Sequence, residues 1–168
     1  MIWVTPLSKL DETIQRTNAQ HVLSLSSMGG EPSKPARIAL NRYLALSMHD
    51  VSEPCEGLVA PSVDHVSQII RFGRFWNGAG ALVIHCYAGI SRSTAAAYAI
   101  SAALNPELDE VELAQRLRRL SPSATPNALI VAHADNLLGR QGRMVRAIAA
   151  IGRGEEAFEG KPFEIKVL

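Results

Sequence analysis

The sequence has only two cysteines, a net charge close to zero and no extended apolar stretch, and each of these features argues against a class of protein. Two cysteines in 168 residues are too few to hold a secreted domain together, so we expect reduced thiols and a cytoplasmic location. The formal net charge of +1 lacks the basic excess of a nucleic-acid binder. Apolar runs of about 18 residues are missing, which argues against a transmembrane helix. We therefore expect neither nucleic acid nor a membrane as a partner.

Two more classes are disfavoured by what the sequence lacks. The start of the chain, MIWVTP, has no basic segment followed by a long apolar run, so a secretory signal peptide is not expected. His21, His65 and His133 have no metal-ligand spacing to cysteine or acidic residues. No metal and no cofactor are therefore expected.

The length and the apolar pattern predict one α/β domain. A chain of 168 residues suits a single domain, placed at residues 1–152 and followed by a C-terminal tail, residues 153–168. Alternation of strands and helices in the first half predicts a sheet covered by helices. Strands are predicted at residues 2–5, 21–26, 38–48 and 81–84. Helices are predicted at 9–16 (with Ser8 as N-cap), 61–76, 93–104, 107–120 (with Arg116, Arg118 and Arg119 on a solvated face), 126–138 and 143–151.

The segment VIHCYAGISRS, residues 83–93, carries the chemistry. An apolar strand ends at Cys86, a short loop follows, and a helix begins near Arg92. The backbone N–H groups of such a loop and of the helix N-terminus converge on an anion. Gly89 lets the backbone bend, and the planar guanidinium of Arg92 matches two oxygens of a phosphate. The segment predicts a phosphate site.

The same surroundings favour the thiolate form of Cys86, which is the nucleophile that attacks phosphorus. Loop amides and Arg92 then hold the oxygens of the transition state, while Ser93 hydrogen-bonds the sulfur and eases its departure. The alternative is an inert core cysteine beside a surface arginine, and buried inert cysteines are common. That alternative does not explain why Arg92 and Ser93 stand at the start of an otherwise apolar helix.

His85-Cys86, five intervening residues and Arg92-Ser93 resemble the signature loop of the protein-tyrosine phosphatase superfamily, and Ala88-Gly89 resembles its dual-specificity branch. The resemblance implies a three-layer fold with a mostly parallel sheet, and a phosphocysteine intermediate. It also implies that the loop residues contact the substrate and that His85 supports the loop. The substrate-binding residues implied are Tyr87, Ala88, Gly89, Ile90, Ser91 and Arg92.

The resemblance further implies an aspartate upstream that protonates the leaving oxygen and then acts as a base. Asp50, in a loop after a strand, is preferred to Asp64, which lies in the first turn of a helix, where a carboxylate favours the dipole. The alternative for Asp50 is an ordinary turn residue. Asn127 stands where relatives orient the loop or a water, or it is simply a residue of the next helix. Cys55 is either a lone thiol or a disulfide partner that protects Cys86 from oxidation.

The predicted function is that of a protein-tyrosine or dual-specificity phosphatase. Its expected substrate is a phosphorylated protein, with phosphotyrosine favoured, or a small phosphomonoester. The loop has no lysine, unlike lipid-phosphate relatives, which argues against a polyphosphorylated inositide. The alternative is a catalytically weak pseudophosphatase that binds phosphate and acts as an interaction module. Such proteins usually lose the cysteine, the arginine or the acid, and all three are present here.

Overall fold

A five-stranded sheet forms the centre of the computed structural model, which describes residues 1–167. The strands lie in the order β3-β2-β4-β1-β5. The first four are parallel to their neighbours, and β5 is antiparallel to β1. The predicted fold, a mostly parallel sheet in an α/β domain, is confirmed. The strands are β1 (Ile2–Pro6), β2 (His21–Ser26), β3 (Tyr43–Ser47), β4 (Leu82–Cys86) and β5 (Phe163–Ile165).

Helices cover both faces of the sheet and make three layers. Over residues 1–167 there are six: α1 (Leu10–Thr17), α2 (Val63–Trp76), α3 (Arg92–Leu104), α4 (Glu110–Leu120), α5 (Ala128–Leu137) and α6 (Arg143–Ile151). Helix α1 packs on one face with its own small core, and α3 packs on the other face within the main core. None of these helices combines the length and the apolar character that crossing a membrane requires.

Strand β4 is central because its side chains serve both cores. Val83 packs in the core under α1, whereas Leu82 and Ile84 pack in the main core. A strand buried on both faces reads as a continuous apolar run. This burial fixes the end of β4, and with it the position of Cys86.

Helix α3 is held close to its neighbour by small residues. Residues 92–102 of this alanine-rich helix are all buried. On α2, a Cβ at Gly73 would lie 2.6 Å from Cγ2 of Ile100, so only glycine allows this approach. The packing fixes the N-terminus of α3, where the predicted phosphate site begins.

The start of α1 differs from the prediction. Ser8 is not its N-cap, because a 3₁₀ turn at Leu7–Lys9 precedes the helix and Lys9 occupies the cap position. The Ser8 hydroxyl instead donates to Oε2 of Glu159 at 2.7 Å. The third strand is also shorter than predicted, since a second 3₁₀ turn, Leu40–Arg42, takes up its start.

Strand β5 comes from the predicted C-terminal tail. Phe163 and Ile165 are buried and stand opposite Val4 and Ile2 of β1. Part of the predicted tail is thus a strand of the sheet, while Leu168 lies outside the described residues. The segment that leads into this strand lies alongside the loop that follows β4, because Gly160 N–H donates to the carbonyl of Ala88.

Candidate active site

The candidate site lies where β4 ends and α3 begins, at the carboxyl edge of the parallel strands. Ligands of open α/β sheets bind at this edge. We call residues 86–92 the signature loop. Cys86 is its first residue and is 2% exposed. Its Sγ lies 3.1 Å from Oγ of Ser93, which is buried in the first turn of α3. A hydroxyl that donates to this sulfur stabilises the thiolate form.

The signature loop turns its carbonyl groups toward the surrounding segments. Four of them accept hydrogen bonds from backbone N–H groups elsewhere in the chain. Because the C=O and N–H of a trans peptide unit point in opposite directions, the loop's N–H groups face inward. Among residues 1–167, no backbone N–H of residues 87–91 donates a hydrogen bond. The acceptor–donor pairs are Tyr87–Leu7 (3.1 Å), Ala88–Gly160 (2.8 Å), Ile90–Thr125 (3.0 Å) and Ser91–Asn127 (3.3 Å).

Gly89 has a conformation and a position that other residues cannot share. Its φ is +68°, in the region that L-residues with a side chain rarely adopt. A Cβ there would lie 2.6 Å from the backbone nitrogen of Pro6. The end of β1 therefore packs directly on the bend of the loop. The orientation of the loop's backbone N–H groups depends on this glycine.

Arg92 is held at the edge of the site with a free donor. The residue is 4% exposed, and its Nη1 donates to the carbonyl of Met48 at 2.7 Å and to Oγ of Ser27 at 3.1 Å. Its Nε is buried without a hydrogen-bond partner in the described part of the chain. A buried donor without a partner is costly, and an oxyanion beside Arg92 removes that cost. Nothing in the sequence singles out Ser27, which lies in a loop rich in Ser, Gly and Pro.

A cavity of about 240 Å³ opens in front of Cys86. Arg92 and Tyr87 line it on one side, and the loop after β2 lines it with Ser27 and Pro32. A larger, more open cavity of about 780 Å³ lies beside Ile90 on the outer side of the loop. We assign the chemistry to the smaller one, because the sulfur and the guanidinium both reach it.

Asp50 is bound to the signature loop and Asp64 is not. Oδ1 of Asp50 accepts hydrogen bonds from Oγ of Ser91 at 2.7 Å and from Nδ2 of Asn127 at 2.8 Å. Asp64 lies on the surface of α2 and accepts from Gln68 at 2.9 Å. Asp50 is therefore positioned at the rim of the site, and its role as the acid stays a prediction.

Asn127 connects three parts of the site. Its Nδ2 donates to Asp50 and also to the carbonyl of Val51 at 3.0 Å. Its Oδ1 accepts from the N–H of Ile130 at 3.1 Å, which makes it the N-cap of α5. This side chain therefore fixes the aspartate loop to the start of α5, and its predicted role in orienting the signature loop or a water stays a prediction.

His85 is buried under the loop and is neutral. Burial lowers the pKa of His85 to about 4; the Cys86 backbone offsets part of this effect, and the nearby charge of Arg92 adds to it. Neither ring nitrogen has a hydrogen bond of good geometry within residues 1–167. His85 is thus a buried, neutral side chain at the wall of the cavity, and its implied role as hydrogen-bonding support stays a prediction.

The two cysteines are in different environments. Both are free thiols, but Cys55 is exposed whereas Cys86 is buried. A protective disulfide between them therefore stays a prediction. Within residues 1–167 no group of three or more His, Cys, Asp or Glu side chains is arranged to hold a metal ion.

Solved structures share this fold at low sequence identity. DUSP15 is 19% identical to this chain, covers 92% of it and 94% of its own length, and has a TM-score of 0.64. The human tyrosine phosphatase-like serine/threonine/tyrosine-interacting protein is 18% identical, with 83% and 92% covered and a TM-score of 0.63. OH1 of the Orf virus, a tyrosine phosphatase with triple substrate specificity, is 15% identical, with 82% of each chain covered and a TM-score of 0.56.

No family model and no curated protein sequence matches the chain. The structural likeness is therefore a likeness of fold. It confirms that the chain has the fold of these phosphatases, as the resemblance implies.

Proposed function

We propose that this chain, which has the fold of the dual-specificity and tyrosine phosphatases, is a cysteine-dependent phosphomonoesterase. The observation that carries the proposal is that Cys86, whose sulfur is hydrogen-bonded to Ser93, and Arg92 line one cavity. The signature loop that joins these two residues has backbone N–H groups without acceptors in the described part of the chain. A nucleophile, a cation and nearby amide donors suit an attack on a phosphate.

In the first step the thiolate of Cys86 attacks phosphorus, so that an S–P bond forms while the ester P–O bond breaks. Arg92 and the loop amides hold the three equatorial oxygens. Asp50, anchored at the rim by Asn127, gives its proton to the leaving oxygen. The products of this step are an alcohol or phenol and a phosphocysteine.

In the second step a water attacks the phosphocysteine, and Asp50 takes a proton from that water. The S–P bond breaks, inorganic phosphate forms, and the electron pair returns to the sulfur. Ser93 stabilises the departing thiolate by donating a hydrogen bond across the 3.1 Å contact. The cycle ends with the enzyme as it began.

The walls of the cavity favour a substrate with a single phosphate. Arg92 is the one cationic side chain among the described residues that line it, since His85 is neutral. A second phosphate finds no cation there. The substrate proposed is therefore a phosphorylated protein, with phosphotyrosine favoured, or a small phosphomonoester. The phosphocysteine intermediate, the binding of phosphate by the signature loop and a cytoplasmic location stay predictions.

The test is hydrolysis of p-nitrophenyl phosphate in the presence of a metal chelator. The parent should turn over, and Cys86→Ser should lose activity by a factor on the order of 1,000 or more, since the nucleophile is removed. Cys55→Ser is the matched control and should keep parent activity, because Cys55 is exposed and outside the cavity. Equal rates for the parent and Cys86→Ser would contradict the proposal.

A second candidate function is a phosphate-binding interaction module. It is favoured by the likeness of fold to a protein named as tyrosine phosphatase-like and interacting. This candidate predicts that the parent binds a phosphotyrosine peptide without releasing phosphate from it. Release of phosphate from the same peptide, lost in Cys86→Ser, would exclude it.

A further inference from the structure

The end of the chain packs against the outer side of the signature loop. We call residues 153–165 the C-terminal segment. Its first part is tied to the loop before α5, because Gly154 N–H donates to Oγ1 of Thr125 at 3.1 Å and Glu155 N–H donates to the carbonyl of Pro122 at 3.0 Å. Its last part is β5, paired with β1. Between these two anchors it crosses behind the phosphate site.

Gly160 is the point of contact. Its N–H donates to the carbonyl of Ala88 at 2.8 Å, and the residue is buried. A Cβ at this position would lie 3.0 Å from the carbonyl oxygen of Gly89, tighter than most real contacts. The bare backbone of the C-terminal segment therefore lies directly on the loop.

This hydrogen bond sets the direction of one amide of the site. The Ala88 carbonyl is held outward, so the N–H of Gly89 in the same peptide unit points inward. Gly160 is the one partner of that carbonyl within residues 1–167. A peptide unit next to glycine rotates more easily than others, because glycine occupies φ values of both signs. Rotation would place a carbonyl oxygen where the phosphate oxygens bind.

We propose that Gly160 is a positioning residue, which keeps the Ala88–Gly89 peptide unit turned so that its N–H faces the bound phosphate. The inference rests on the proposed function for its effect on turnover, but its effect on oxyanion binding does not require turnover. Fixed ends make this positioning effective, because Phe163 and Ile165 are buried in β5. The C-terminal segment thus acts as a back wall of the site.

The test compares Gly160→Pro with Gly160→Ala. Both variants add a Cβ near the Gly89 carbonyl, but only proline removes the N–H donor. Tungstate binding by calorimetry, kcat and KM for p-nitrophenyl phosphate, and the melting temperature are measured for each. Gly160→Pro should lose about tenfold or more in tungstate affinity and in kcat relative to Gly160→Ala, since an oxyanion donor is lost and a carbonyl takes its place.

A second pair of proteins tests the proposal independently, in case the proline variant does not fold. A synthetic C-terminal peptide is ligated at an Ala157→Cys junction, with either the natural amide or an ester at residue 160. The ester removes the N–H without adding atoms, and should weaken tungstate binding by about fivefold or more. The amide version, made in the same way, should bind like the parent.

Each outcome bears on the proposal. Equal tungstate affinity and kcat for Gly160→Pro and Gly160→Ala, or for the ester and the amide, would overturn it. A lower melting temperature with unchanged tungstate affinity would also overturn it, because Gly160 would then serve stability alone. Weaker tungstate binding in the donor-lacking proteins, together with a parent that hydrolyses nothing, would support the positioning role while sinking the proposed function.

Discussion

Stability should fall in acid because of His85. Burial chiefly, with a contribution from Arg92, holds the pKa of the folded-state imidazole at about 4, against an ordinary value of 6.5. Between these values the unfolded chain binds a proton that the folded chain does not, so the free energy of unfolding rises with pH across this window. The stability is fully present above pH 6.5 and is lost progressively as the pH falls through 4. A difference of about 2.5 pH units at 1.36 kcal/mol each amounts to about 3 kcal/mol.

Urea unfolding at a series of pH values between 7.5 and 4 measures this effect. His85→Leu replaces the ring by an apolar group that does not titrate, at a position where neither ring nitrogen has a partner. The variant should show a smaller loss than the parent, by about 3 kcal/mol. Carboxylates and other histidines contribute equally to both proteins, so the difference isolates His85. An identical loss of stability in the parent and the variant would refute the reasoning.

Three further predictions concern the site itself. Asp50→Asn should lower kcat by about 100-fold or more with little change in KM, as expected for a general acid. Asp64→Asn is the control and should match the parent. The reverse result in steady-state assays would identify Asp64 of α2 as the acid. Ser93→Ala should slow the second step, so that rapid mixing shows a burst of phenol before a slow steady state; a slow linear trace would place its role in the first step. Gly89→Ala should lower both the melting temperature and the activity, since φ is +68° and a Cβ would clash with Pro6. A melting temperature equal to that of the parent would contradict the claim that a side chain does not fit at this position.

The sequence predicts well those parts of the molecule that depend on local pattern. Strand β2 and helix α6 have the predicted bounds, and the transition from β4 through the signature loop to α3 falls within two residues of the prediction. Apolar runs and helical periods are local signals, and burial on both faces of the sheet reinforces them. The position of Asp50 in a loop favours it over Asp64, because loop residues can approach a site, and in the structure Asp50 accepts a hydrogen bond from Ser91.

Elements that depend on distant partners are not predicted. Strand β5 has three residues, which is too few for a period, and forms because β1 offers an open edge. The prediction of a solvated helix face is wrong for Arg118, because its guanidinium donates to four backbone carbonyls. Those carbonyls belong to segments that only the fold brings together, so no spacing in the sequence reveals them. They are the carbonyls of Pro122, Ala124, Ile151 and Gly152.

The division between what the sequence reveals and what it conceals follows the two sides of the signature loop. On the inner side, chemistry requires particular side chains, so Cys86, Arg92 and Ser93 form a recognisable motif. On the outer side, the loop is held by backbone N–H groups, such as those of Leu7 and Gly160, which nearly any residue can supply. A motif therefore identifies the reacting groups, but it does not reveal the contacts that orient the backbone N–H groups of the loop. In this chain the outer support includes residues near the far end of the sequence, and the direction of the oxyanion donors depends on contacts that the motif does not contain.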